Sequence, residues 1–168
     1  MKNYPLILVT LLIGFYTFSV NAQDGETLTS ESRDAASAYM GTMNFVVGRL
    51  GLECLSLIGR SETPKEFANA WQQRNSKYFS ASIKYMGKRL DSALSSGGIG
   101  ARDAVLYEYS SAVRRDGEAS VADWFRKGNK EDTCKRAVAL IDAKAMDVSA
   151  KVPMYGELEA LASWAEAN

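Results

Sequence analysis

The 168-residue chain contains no histidine, only two cysteines and only three prolines. Without histidine there is no Ser-His-Asp or Cys-His nucleophile system, no imidazole general base and no histidine metal ligand. No Ser-x-x-Lys spacing occurs, so serine lacks the lysine activation used by penicillin-binding-type sites. No glycine-rich phosphate loop follows a strand, and no haem-attachment motif is present. Neither sign of charge dominates, with 20 basic and 20 acidic residues. Phosphate neutralisation requires a basic excess, so no nucleic-acid partner is expected. Internal repeats, low-complexity tracts and strand-like alternation are also missing. These absences predict no cofactor and no metal.

One long apolar run is present, at the start. Lys2 is the only charge before Asp24, and Tyr4–Val20 between them is mostly apolar. Val20-Asn21-Ala22 places short side chains where a signal peptidase cuts. The run falls short of the ~20 residues of a membrane span and is interrupted by Thr10, Thr17 and Ser19. Residues 1–22 are therefore read as a signal peptide cleaved after Ala22, and 23–30 as a flexible leader. Residues 31–168 are read as one helical domain, large enough to bury a real core. The expected location is periplasmic or secreted, with no permanent membrane anchor after cleavage. In an oxidising compartment the even cysteine count predicts one disulfide, Cys54–Cys134.

Helical signals follow one another along the rest of the chain. Thr29 or Ser30 can cap a first helix carrying Glu31 and Asp34 in its first turn. Ala36, Met40, Met43, Val47, Leu50, Cys54 and Leu57 recur at helical spacing. Gly41, Gly48 and Gly51 in the same stretch suggest close approach by a neighbouring helix, and Gly59 a stop. Thr63-Pro64-Lys65-Glu66 has the form of a capping box with proline at the first helical position. The helix it opens is predicted to run to about Ser95 and end at Gly97-Gly98, with Asn75 near its apolar face and in need of a partner. Further helices are expected over Ala101–Arg115, from Ser120 to Gly128, after Asn129 and from Pro153. The fold class is all-α, a bundle of five or six helices stapled by one disulfide.

The helix from Thr63 to Ser95 has an unusual charge distribution. Six basic residues and one acid, Glu66, lie between Lys65 and Leu90. Phe79, Ile83, Met86 and Leu90 share one side and read as core. Arg74, Lys77, Lys84 and Lys88 form a basic side, and Phe67, Trp71, Tyr78 and Tyr85 a strip between the two. Aromatic anchors beside cations suit an acidic protein partner, so Trp71, Arg74, Lys77, Tyr78, Lys84, Tyr85 and Lys88 form the candidate binding face. The plainer reading packs the aromatics on a neighbouring helix, with the lysines solvated or satisfied by the acidic segment 153–168, which carries Glu157, Glu159 and Glu166 and no base.

The layout of signal peptide, helices and one disulfide resembles that of small exported helical proteins, including periplasmic immunity proteins that block cell-wall-degrading effectors. The resemblance covers architecture and carries no site residue. It implies a non-enzymatic protein that binds a protein partner as inhibitor, immunity factor or accessory subunit. One alternative is a carboxylate-dependent enzyme acting on envelope carbohydrate, with Glu53 and Glu108 as its acids. Another is a structural or chaperone-like envelope protein.

Overall fold

The computed structural model describes residues 31–126 and 128–168; the signal peptide, its cleavage site, the leader and the Thr29 or Ser30 cap lie outside them. Among the described residues there are five helices and no strand. They are α1 (Glu31–Cys54), α2 (Pro64–Arg74), α3 (Ser76–Phe125), α4 (Lys130–Asp142) and α5 (Tyr155–Ala167). They pack as one domain around α1, which touches all four of the others. No helix among the described residues is long and apolar enough to cross a membrane.

The α1 stripe lies against the core as its spacing predicts. Ala36, Met40, Val47, Leu50 and Cys54 are fully buried, whereas Leu57 falls past the helix end and is exposed. Gly59 ends the turn that follows, at φ +73°. The Arg60 N–H then donates back to the Leu55 carbonyl at 2.9 Å, the six-to-one bond of a left-handed helix cap. The capping box of α2 is complete. Glu66 N–H donates to Thr63 Oγ1 at 3.2 Å and Thr63 N–H to Glu66 Oε2 at 2.8 Å. Asn129 caps α4 by accepting from the Glu131 and Asp132 amides. The disulfide Cys54–Cys134 joins the end of α1 to the start of α4.

Three predicted boundaries move. The helix opened by Thr63 stops at Arg74 rather than running on to Ser95. Buried Asn75 sits at the joint, donating from Nδ2 to the Trp71 carbonyl at 2.8 Å and accepting from Val148 N–H at 2.7 Å. Its side chain thus spends itself tying the α4–α5 connection to the joint. The second change is at Gly117, which terminates nothing: the helix expected over Ala101–Arg115 and the one expected from Ser120 are continuous through it to Phe125. This glycine packs directly on α1, where an added Cβ would lie 2.3 Å from Phe45 Cδ1. Finally, α5 begins at Tyr155, two residues after Pro153.

Gly98 is the only non-helical residue inside α3, at φ 70° and ψ −164°. There the helix reverses. On the first arm (76–97), Ser82 reaches Ser37, and Tyr85 and Arg89 reach Asp34, so this arm runs antiparallel to α1. On the second arm (99–125), Tyr109 reaches Ser37 and Gly117 reaches Phe45, so this arm runs parallel to α1. The two arms and α1 form a three-helix layer. Helices α2, α4 and α5 close the core on its other side, around Trp71, Tyr85, Val138, Ile141, Leu158 and Leu161.

Candidate functional site

The predicted basic and aromatic face is largely consumed inside the fold. Trp71 is fully buried and donates from Nε1 to the Met146 carbonyl at 3.1 Å. Arg74 donates to Asp147 at 2.8 Å and to the Ile141 carbonyl at 3.0 Å. Lys77 pairs with Glu159 at 2.6 Å, and the Tyr78 hydroxyl donates to the same carboxylate. Lys84 donates to the Ala165 carbonyl in the last turn of α5 at 2.9 Å, a favourable place for a cation. Tyr85 is fully buried, donates to Asp34 at 2.6 Å and meets Trp164 edge to face at 5.3 Å. Of the seven candidates, Lys88 alone is exposed with neither a side-chain hydrogen bond nor an ion pair among the described residues. The Lys77 bond holds the Glu159 carboxyl below its ordinary range, and Glu159 in turn raises Lys77. Burial first, then the bond to Glu159, raises Tyr78. This is the internal pairing with segment 153–168.

The phase assigned to the first arm needs correction. Trp71, Tyr78 and Tyr85 face the core, and of Phe79, Ile83, Met86 and Leu90 only Phe79 packs against it, partly buried. Phe79, Met86 and Leu90 are half-buried, and Ile83 is 59% exposed. The physical reason is that α5 lies along the basic and aromatic side, giving that strip a neighbour the periodicity of one helix cannot announce.

The displaced aliphatic side forms one wall of a groove. Phe79, Ile83, Met86 and Leu90 of the first arm face Leu106, Tyr109 and Val113 of the second, over a floor of Gly41, Asn44 and Phe45 from α1. The groove is about 560 Å³, within the range of ligand-sized clefts. Leu106 is 44% exposed on the wall opposite Ile83. Close packing at the floor holds the walls in place. A Cβ on Gly41 would lie 2.6 Å from Tyr109 Oη and 2.9 Å from Val113 Cγ2, so only glycine admits the second arm at this distance. The Tyr109 hydroxyl donates to the Ser37 carbonyl at 3.1 Å, and the Ser37 and Ser82 hydroxyls are 2.9 Å apart. Each arm is thereby tied to α1, and the trough between them stays open.

The two carboxylates considered for carbohydrate chemistry do not meet. Glu53 sits at the end of α1, bonded to Lys130 at 2.9 Å and Arg49 at 3.2 Å, and the Lys130 bond holds its carboxyl below the ordinary range. Glu108 lines a small cleft with Asp34, Arg89 and Tyr109 at the other end of α1. Asp34 and Glu53 are separated by 19 positions, about 28 Å along a helix, against the roughly 5–9.5 Å that paired glycosidase carboxylates require. Asp34 itself is engaged by Tyr85 and Arg89. Among the described residues no group of three or more Cys, Asp or Glu side chains converges as a metal site would.

Sequence reasoning missed the second wall and the floor. Leu106, Tyr109 and Val113 share one side of the helix expected over Ala101–Arg115, and nothing local indicates that this side faces the first arm. The available signal is a symmetry about the hinge: Leu90 stands eight residues before Gly98 and Leu106 eight residues after it. A helix reversing at Gly98 brings the two to the same level along its arms, and both line the groove. Compared with family models, with characterised proteins and with solved structures, the chain matches none.

Proposed function

We propose that this is an exported, non-enzymatic protein that binds a protein partner, as an inhibitor, immunity factor or accessory subunit, and that the partner's apolar side chains enter the groove between the arms of α3. The observation that carries this reading is the open apolar trough itself, with Ile83 and Leu106 exposed on opposite walls. Apolar residues at helical spacing on both walls and a helical floor suit the apolar face of an amphipathic helix, which would complete a four-helix arrangement. Export rests on the N-terminal sequence pattern and accords with the disulfide. Charge plays a smaller part than the sequence implies, because Arg74, Lys77 and Lys84 are engaged within the fold.

The test places a photocrosslinking side chain at Ile83 or at Lys88 in protein produced in its native cell envelope. Crosslinking from position 83 to one protein, lost when Leu106→Glu is added, is the expected result. Crosslinks from position 88 alone, or from neither position, would overturn the reading.

A further inference from the structure

The reversal of α3 rests on one residue. Gly98 occupies φ 70°, ψ −164°, a backbone region essentially restricted to glycine, and every other residue from Ser76 to Phe125 is helical. Rotation of this residue into the helical region would make α3 one rod about 75 Å long. Residues 99–168 would then leave residues 31–97 of their own chain. The buried core draws on both halves. The contacts between them include Gly117 on Phe45, Trp164 on Tyr85, Glu159 on Lys77 and the Cys54–Cys134 bond. A second straightened copy can supply every one of these contacts unchanged, so the hinge is the main difference between a closed monomer and an exchanged dimer.

We propose that two copies of this chain exchange their C-terminal halves, residues 99–168, by straightening α3 through Gly98, and that the Cys54–Cys134 disulfide latches whichever pairing exists when it forms. This inference does not depend on the proposed groove partner. The hinge lies inside the 80-residue separation closed by the disulfide. In a closed monomer the bond ties Cys134 to Cys54 with their Cα atoms 5.0 Å apart, so the oxidised monomer cannot straighten. In an exchanged dimer the same chemistry joins Cys54 to the partner's Cys134, twice. For each bond, two thiols exchange with a small-molecule disulfide such as oxidised glutathione. The protein thiols give up two protons and two electrons, and the reagent leaves as two thiols. Both cysteines are fully buried, which protects either product from later reshuffling.

The glycines at the bend have separable roles. A Cβ on Gly97 would lie 2.6 Å from the Ala101 Cβ in the bent form, a contact that a straight helix does not make. A side chain on Gly98 is strained by the positive φ. A Cβ on Gly100 meets nothing within 4 Å. Gly97→Ala and Gly98→Ala therefore both penalise the bend and favour the rod, whereas Gly100→Ala leaves the bend unobstructed.

The experiment refolds reduced, unfolded protein with oxidised glutathione over a range of protein concentrations, blocks residual thiols and reads monomer and dimer by non-reducing denaturing electrophoresis. The wild type should give a covalent dimer whose share rises with concentration. Gly97→Ala and Gly98→Ala should reach half-dimer at a concentration at least about tenfold lower, and Gly100→Ala should track the wild type. Peptide mapping of the dimer should find only Cys54–Cys134 linkages. A second measurement needs no hinge variant: Cys54→Ser and Cys134→Ser chains, refolded together, should give a heterodimer joined by one bond. Absence of that heterodimer, Cys54–Cys54 or Cys134–Cys134 linkages in the dimer, or identical behaviour of the three glycine variants and the wild type would each overturn the proposal.

Discussion

Individual glycines in this chain do different work, and their surroundings decide what each tolerates. Gly48 has open space where a Cβ would stand, so it contributes only the conformational cost of glycine within a helix. Gly48→Ala should raise stability by about 0.5–1 kcal/mol. Gly117 meets the Phe45 ring at 2.3 Å from an ideal Cβ, too close to relieve without moving the ring or the helix. Gly117→Ala should lower stability despite its better helix propensity, because overpacking costs about 1–3 kcal/mol. Denaturant unfolding of the two variants beside the wild type checks the opposite signs. From sequence alone Gly48 suggests close approach by a neighbouring helix, which its open surroundings contradict, and Gly117, after Arg114 and Arg115, has the form of a helix terminator. Its role depends on Phe45, 72 positions earlier, and local signals hold no information about that contact. By contrast, Thr63, Glu66 and Asn129 cap backbone groups within three residues of themselves, and were legible for that reason.

Among the elements, α5 docks along the first arm of α3 through paired side chains. Lys77 and Tyr78 converge on Glu159, and Lys84 holds the Ala165 carbonyl in the last turn of α5. Lys77→Glu should therefore lower the melting temperature by opposing Glu159, whereas Lys88→Glu should leave it nearly unchanged, since Lys88 meets no carboxylate among the described residues. Acid should weaken the same dock. The folded state depresses the Glu159 carboxyl, so the unfolded chain binds its proton more readily. The contribution is present above the unfolded value of ~4.3 and is lost as pH falls through the folded value. Glu159→Gln should reduce the difference in melting temperature between roughly pH 6 and pH 3 relative to the wild type. The first arm also shows where periodicity stops being informative. Its helix was legible, but it carries an aromatic strip and an aliphatic strip, each long enough to be the core side. The spacing of Trp71, Tyr78 and Tyr85 fits burial as well as that of Phe79, Ile83 and Leu90. Only the position of α5 selects Tyr78 and Tyr85 for the core and leaves Ile83, Met86 and Leu90 to line the groove, while Trp71, on α2, is held by the Met146 carbonyl.

For the whole molecule, the disulfide and the groove are the two features with consequences beyond one contact. Closing a loop of 81 residues restricts the unfolded chain, a term of about 4–5 kcal/mol in the chain-entropy account. Reduction, or the Cys54→Ser, Cys134→Ser pair, should lower stability on that order, and thiol labelling of unreduced, denatured protein should find no free thiol. The pairing was legible because two cysteines allow only one pair within the chain; the groove was not, because its walls come from two sides of a hinge. Its floor and walls hold their shape through contacts to α1, so the proposed partner would meet a formed trough with Ile83 at its edge. The most direct measurement is the affinity of the partner captured through Ile83 for the purified wild type, Ile83→Glu and Lys88→Glu proteins, with their melting temperatures. The account predicts that Ile83→Glu weakens binding by about 2 kcal/mol or more while melting near the wild type, since Ile83 is 59% exposed, and that Lys88→Glu binds normally. Undiminished affinity in a folded Ile83→Glu protein would contradict it.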